Sequence, residues 1–164
     1  MKKFLVTAVI AVFGISAFAQ NGNFNAGINF GFPTGDASDF SSFNLKVEVN
    51  YLFEVSEAFD VGPSMSYSHY FGKEIGSTGI NWDDVSFLPL AAAARFNASD
   101  KFAVGGDIGY AIGLSPSGND GGFYYRPLVG YNVTDNIMIQ ASYSGISRDG
   151  GTFSNFGIGG MYSF

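Results

Sequence analysis

The 164-residue sequence contains no cysteine and only one histidine. The absence of cysteine excludes disulfide bonds, thiolate metal sites and cysteine nucleophiles. Charged residues make up only 13% of the chain, and 8 lysines and arginines stand against 14 aspartates and glutamates. A protein that binds nucleic acid through a basic surface is therefore disfavoured, and we expect no nucleic-acid partner. The composition, with 17% aromatic residues, also excludes a disordered chain, and the length favours one domain.

The sequence also lacks the local motifs that identify many enzymes. It has no phosphate-binding loop, dinucleotide fingerprint, zinc-ligand spacing or G-x-S-x-G elbow. Catalysis by a serine–histidine or aspartate–histidine pair would have to use His69, the single histidine. In the alternation described below, His69 shares a face with Met65 and Tyr67, which favours a side chain at a lipid interface. We therefore predict a non-enzymatic protein with no catalytic residues, no cofactor and no metal site.

Residues 1–19 have the pattern of a cleavable leader. Two lysines follow the initial methionine, and an uncharged apolar run then ends near the small residues Ala17 and Ala19. This is the order of a signal peptide, because signal peptidase accepts only small side chains next to its cleavage site. The apolar run is shorter than the roughly 20 residues that a membrane-spanning helix needs. We predict a signal peptide over 1–19 and one domain over 20–164.

After the leader, apolar residues alternate with small or polar ones. Alternation with a period of two places all the apolar side chains on one face of a β-strand. Stretches of about ten residues match tilted strands that cross a bilayer. Eight segments show the pattern, at about 24–32, 43–53, 59–71, 85–96, 102–114, 123–133, 137–143 and 156–164.

The second face of these strands separates a membrane barrel from a soluble β-sandwich. A sandwich would direct charged residues to water, but here the second face is mostly Gly, Ser, Asn and Ala. Small residues fit the narrow interior of a barrel, and aromatic residues near the strand ends match interfacial girdles. We therefore predict an all-β, eight-stranded antiparallel transmembrane β-barrel with an up-and-down meander. The soluble sandwich is the alternative.

The predicted connections differ in length at the two ends of the barrel. Short turns, in which Ser or Thr precedes an acidic residue, are expected near 54–59, 97–102 and 132–137. The longer connections are expected at about 33–42, 72–84, 115–122 and 147–153. This asymmetry is typical of outer-membrane barrels and predicts that both chain termini are periplasmic.

Three prolines lie inside the predicted strands, at Pro63, Pro89 and Pro127. Proline cannot donate a hydrogen bond to a sheet, and a closed barrel has no free edge to accommodate it. We therefore expect a β-bulge or a local strand end at each of these positions.

The last strand alternates to a terminal Phe164, with Tyr162 two residues before it. This ending resembles the carboxy-terminal signal that the outer-membrane barrel assembly machinery reads. Together with the leader and the eight segments, the chain resembles the outer-membrane β-barrel domain family, in the shape of small OmpA/OmpX-type barrels. The resemblance covers nearly all of residues 20–164. It implies the outer membrane of a Gram-negative cell and contact with membrane lipid, lipopolysaccharide and, during biogenesis, the assembly machinery.

Four charged residues fall on the inward face of the predicted barrel: Lys46, Glu48, Asp107 and Arg126. Charges inside a narrow barrel must pair or meet water, because an isolated buried charge is very costly. The second and sixth strands lie across the lumen from each other. We therefore predict a Glu48–Arg126 contact with Lys46 nearby, which blocks ion flow. An ion-selectivity site is the alternative.

The family resemblance does not fix an activity, because the same barrel serves as anchor, adhesin, narrow pore or enzyme. We favour a monomer that stabilises the membrane or interacts with other molecules through its outer loops. A narrow channel for small polar solutes or ions is the alternative, and it ranks lower because side chains fill the interior of eight-stranded barrels. A lipid-modifying enzyme that uses His69 is less favoured still.

Overall fold

The computed structural model describes residues 22–164, so the predicted signal peptide lies outside the described residues. Eight antiparallel strands close into a barrel, in which each strand pairs with its neighbours in sequence and the last pairs with the first. The strands are β1 (Gly22–Thr34), β2 (Ser41–Ser56), β3 (Phe59–Gly72), β4 (Val85–Asn97), β5 (Phe102–Ser115), β6 (Gly122–Asn132), β7 (Ile137–Arg148) and β8 (Gly151–Ser163). One short helix, α1 (Ala37–Phe40), follows β1. The predicted up-and-down barrel is confirmed.

Within residues 22–164, no helix combines the length and the hydropathy that a membrane crossing needs.

The alternating pattern gives the barrel wall two different faces. Large apolar side chains point outwards and are exposed along every strand, for example Phe30, Val47 and Ile139. The inward face is mostly polar or small and is buried, as at Asn44 and Ser144. An exposed apolar band of this extent needs a hydrocarbon environment, because soluble proteins rarely expose large contiguous apolar patches. The soluble sandwich is excluded, since its apolar face would be the buried one.

Aromatic side chains form a girdle at each end of this outer band. At one end, Phe43 lies between Phe30 and Phe71, with ring centroids 6.1 and 5.9 Å away. At the other end, the ring of Phe164 lies 4.8 Å from that of Tyr162, and its backbone N–H donates to the next strand of the barrel, β1. Aromatic rings are favoured at the two membrane–water boundaries, where one side of the ring is apolar and the other is wet.

The connections are short at one end of the barrel, at 57–58, 98–101 and 133–136. At the other end they span 35–40, 73–84, 116–121 and 149–150. The prediction of a longer connection at 147–153 is wrong, because β7 and β8 pair as far as Arg148 and Gly151. The intervening Asp149-Gly150 is a tight hairpin turn, and the φ of +92° at Gly150 is the conformation that such a turn requires.

The prolines cause neither a bulge nor a strand end, so that expectation is wrong. At Pro63, the pairing of β3 with β2 stops after Ser64 and resumes at Val61 in the same register. The pairing of Pro63 with β4 on its other side is uninterrupted. Gaps of the same kind occur at Pro89 and Pro127. A residue in an antiparallel strand directs its N–H to one neighbour only, so a missing donor interrupts one ladder and spares the other.

The lipid-facing assignment can be tested at Ile108, which lies midway along β5 and is 57% exposed. We expect Ile108→Lys to lower the free energy of unfolding by about 2–4 kcal/mol, the cost of a lysine near the centre of the bilayer. Denaturant unfolding in lipid vesicles measures this change. Ile80→Lys is the matched control, because Ile80 is 62% exposed in the 73–84 connection, outside the barrel wall. Equal effects of the two substitutions would contradict the assignment.

Candidate functional site

Five charged side chains are buried inside the barrel: Lys46, Glu48, Arg95, Asp107 and Arg126, each at most 4% exposed. The guanidinium of Arg126 pairs with the Glu48 carboxylate through Nη1 and with Asp107 through Nε, 2.9 Å from Oδ2. Arg95 Nη2 lies 2.8 Å from the other Asp107 oxygen. These contacts form a chain of alternating charge from β4 through β5 and β6 to β2, across the lumen. We call these five residues the charge network.

The Glu48 carboxylate also accepts hydrogen bonds from neutral side-chain amides on β1 and β7. Its Oε1 accepts from Asn29 Nδ2 at 2.6 Å and from the side-chain amide of Gln140. Gln140 Nε2 in addition donates to Asn29 Oδ1 at 3.1 Å. These bonds connect β1, β2 and β7, and they stabilise an ionised carboxylate that would be very costly to bury alone.

Lys46 lies in the same lumen but makes no ion pair. Its Nζ donates to Tyr124 Oη at 3.3 Å and to Ser144 Oγ at 3.2 Å. Among the described residues, no carboxylate oxygen lies within 4.0 Å of it. The structure therefore brings together three of the four sequence-predicted residues, Glu48, Asp107 and Arg126, and leaves Lys46 with hydroxyl partners.

An aromatic cluster fills the lumen towards the longer connections. The rings of Tyr70, Phe87 and Phe153 contact one another with centroid separations of 5.4 to 6.1 Å, and all three are buried. Ala37 of helix α1 packs into the cluster and is 1% exposed. Below it, Asn155 Nδ2 donates to Tyr70 Oη at 2.6 Å and to Ser144 Oγ at 3.0 Å. The aromatic cluster and the charge network therefore close the lumen at two successive levels.

Some residues of this interior were missed by the sequence reasoning. Arg95 shares the inward register with Ala93, so strict alternation along β4 contained the signal. Gln140 likewise lies on the inward face of β7, directly after the lipid-facing Ile139. The aromatic cluster had no comparable signal, because Phe87 lies in the least regular segment and Phe153 in a stretch that was predicted as loop.

His69 lies on the outer face of β3, within the aromatic girdle. Its Nε2 is 3.1 Å from Asp84 Oδ2, and its Nδ1 is 3.3 Å from Tyr67 Oη. The other Asp84 oxygen accepts the backbone N–H of Gly72 at 2.8 Å. Both ring nitrogens therefore have partners, and neither partner is a serine. The side chains of Tyr67, His69 and Asp84 link β3 to the end of the 73–84 connection. In the part of the chain that the structure describes, no group of three or more acidic or histidine side chains could hold a metal ion.

The 73–84 connection forms an ordered hairpin with apolar side chains at its surface. Ile75 and Ile80 pair through a backbone hydrogen bond of 2.7 Å, and Trp82 pairs with Lys73 at 2.9 Å. The Trp82 ring meets the Phe40 ring of helix α1 edge to face, with centroids 5.1 Å apart. We call the exposed side chains of Phe40, Ile75, Ile80 and Trp82 the loop patch.

The comparisons with known proteins agree with this architecture. A family model described as the outer membrane protein beta-barrel domain matches residues 5–164. No curated protein sequence matches the chain. The crystal structure of Ail, the attachment invasion locus protein of Yersinia pestis, is similar, with a TM-score of 0.60 and 15% identity over 87% of this chain and 97% of Ail. The N-terminal β-barrel domain of Pseudomonas aeruginosa OprF has a TM-score of 0.53 and 14% identity over 88% of this chain and all of that domain. At these identities the likeness is one of fold.

The charge network can be tested by removing its central cation. We expect Arg126→Met to lower the free energy of unfolding by about 3–5 kcal/mol, because it leaves Glu48 buried without a cation. The double variant Glu48→Gln/Arg126→Met should recover most of this loss, since it removes the charge on both partners. Denaturant unfolding in vesicles measures both.

Lys101→Met is the control for loss of a positive charge, because Lys101 is exposed in the short 98–101 turn. We expect it to change the unfolding free energy by less than about 0.5 kcal/mol. If Arg126→Met unfolds like the control, the ion pairs of the network do not stabilise the barrel.

Proposed function

The chain belongs to the outer-membrane β-barrel domain family, and from this premise we propose that it is a non-enzymatic surface protein. Its barrel spans the outer membrane as a closed anchor. Its outer connections contact other molecules at the cell surface. The observation that carries this proposal is the closure of the lumen by the charge network and the aromatic cluster.

The closed lumen favours an anchor over a channel. A permeating ion would have to separate the pairs of Arg126 with Glu48 and Asp107, none of which is more than 4% exposed. It would then have to pass between the packed rings of Tyr70, Phe87 and Phe153. Neither level offers the continuous water-filled path that porins of 16 or more strands contain.

The lengths of the connections support an orientation for the barrel. In outer-membrane barrels the short turns are periplasmic and the longer connections extracellular. On this rule the loop patch faces the outside and both chain termini are periplasmic. Tyr162 and Phe164 then lie at the periplasmic end of the last strand, where the assembly machinery would read them during insertion.

The chemistry of the outer connections favours a partner that is cationic or apolar. Their acidic residues outnumber the two cations at this end of the barrel, Lys73 in the 73–84 connection and Arg148 at the end of β7. These acids are Asp36, Asp39, Glu74, Asp83, Asp84, Asp120 and Asp149. Ail has been solved in complex with the heparin analogue sucrose octasulfate. A sulfated ligand of that kind is disfavoured for this chain, because like charges would repel across the interface.

Closure of the lumen can be tested by conductance. We expect the refolded protein in a planar bilayer to give no unitary current steps, because the charge network and the aromatic cluster exclude a continuous water column. Insertion is verified separately by the mobility shift of the unheated barrel in detergent gels. Regular current steps from the unaltered protein would overturn the anchor and favour the narrow channel.

The role of the loop patch can be tested on cells that lack the natural protein and carry either the natural chain or Ile80→Ser/Trp82→Ser. We expect the double variant to insert normally and to lose binding to polystyrene surfaces, because it removes the exposed apolar contact area of Ile80 and Trp82. Ser77→Ala, in the same connection, is the matched control and should bind like the natural chain.

Resistance of the same cells to detergent separates the two surface roles. Loss of adhesion with unchanged detergent resistance supports interaction through the loops. If detergent resistance depends on the protein while adhesion is the same in all strains, membrane stabilisation is the function and the loop interaction is wrong.

A further inference from the structure

Lys46 is a buried lysine that makes no ion pair with the described residues. Its side chain is 2% exposed. Within the charge network, three cations, Lys46, Arg95 and Arg126, face two carboxylates, Glu48 and Asp107. The network therefore carries one positive charge in excess, and only Lys46 lacks a carboxylate within 4.0 Å.

Every carboxylate oxygen of Glu48 and Asp107 already has a partner other than Lys46. Both oxygens of Asp107 are engaged, one by Arg95 and one by Arg126. Glu48 gives one oxygen to Arg126, and its other oxygen accepts from the side-chain amides of β1 and β7 described above. Both carboxylates are therefore oriented by partners other than Lys46.

The remaining inward-facing acid, Asp60, is too far away to compensate Lys46. Asp60 lies opposite Arg95 at the short-turn end of β3, and its side chain bonds Asn97 at 2.9 Å. Lys46 lies opposite Ser68 of the same strand. Eight residues of extended strand separate Asp60 from Ser68, a distance of roughly 25 Å at the rise of a β-strand. Asp60 is therefore too far from Lys46 to pair with it.

Hydrogen-bond donors outnumber acceptors around Lys46. The hydroxyl groups of Tyr124 and Ser144 accept from Nζ, and each still has a proton of its own to donate. Arg126 follows Tyr124 on the inward face of β6, and its Nη2 has neither a hydrogen-bond acceptor nor a carboxylate partner among the described residues. One N–H of the ammonium, the two hydroxyl protons and Arg126 Nη2 therefore lack an acceptor among the described residues.

We propose that this part of the lumen binds one small monovalent anion, chloride in the cell, held by Lys46 with the hydroxyls of Tyr124 and Ser144. The anion supplies the missing negative charge and accepts the unused donors. A water molecule would accept hydrogen bonds but would leave the charge excess, which is costly in a site shielded from solvent. Arg126 adds a second positive charge to the site. The aromatic cluster closes the lumen above it, so the anion enters as the barrel folds.

Halide-dependent refolding tests the site. The urea-denatured protein is refolded into detergent micelles in sodium bromide or in sodium gluconate at equal ionic strength. We expect a higher unfolding temperature after refolding in bromide, and a bromide peak beside Lys46 in anomalous diffraction from crystals grown in the same salt. Lys46→Met should abolish both signals, while Lys73→Met, which removes an exposed lysine from an outer connection, should keep both.

Tyr124→Phe serves as a second variant if Lys46→Met fails to fold, because it removes one donor and almost no volume. We expect it to raise the apparent dissociation constant for bromide about tenfold, the value of one hydrogen bond to a charged group. Absence of anomalous density beside Lys46 in the natural protein would overturn the site in favour of water or a neutral lysine. A bromide effect that persists unchanged in Lys46→Met would also overturn it, because the anion would then bind elsewhere.

Discussion

Every backbone N–H and C=O inside a bilayer must find a partner within the protein, because hydrocarbon offers none. The eight strands meet this requirement only because β8 pairs with β1 over ten residues, from Asn25 with Ser163 to Thr34 with Ser154. Closure then forces one face of every strand into a lumen that is narrow at this strand number. The apolar exterior, the small interior residues and the crowded charges are consequences of this one constraint.

The narrow lumen explains why the inward face can hold so few large side chains and why those few interlock. Gly159 of β8 faces inwards beside Asn29, and a Cβ atom at Gly159 would collide with the Asn29 amide oxygen. The glycine thereby leaves room for the hydrogen bonds that Asn29 and Gln140 make with Glu48. Large side chains are admitted at only two levels, where they pair as ions or pack as rings.

Sequence alone predicted the strands well and the contents of the lumen in part. Alternation is a local signal with a period of two, so it identified which residues face lipid and which face inwards, including Glu48 and Arg126. The strand order placed Glu48 and Arg126 across the lumen from each other, but alternation did not specify the pairs that Asp107 makes with Arg95 and Arg126. The turn at Asp149-Gly150 and the inward packing of Phe153 were missed, since both depend on how far β7 and β8 continue to pair beyond the membrane band. The expectation of a bulge or a strand end at each proline was wrong because each strand has two neighbours. The intact pairing with one neighbour keeps the register.

The cost of burying a charge network raises the question of what the barrel gains from it. A pair of apolar residues of similar volume is often at least as stabilising as a buried ion pair. A barrel strand, however, can slip along its neighbour, and a slip of one residue turns every inward side chain towards lipid. Such a slip in β6 would place Arg126 in hydrocarbon and Pro127 in the lumen, and in β2 it would do the same to Lys46 and Glu48. A charged side chain on the lipid face is costly at this depth. A register slip therefore costs far more in the charged strands β2 and β6 than in the glycine-rich strand β8. The charge network thus fills the lumen and also favours the correct register of the strands.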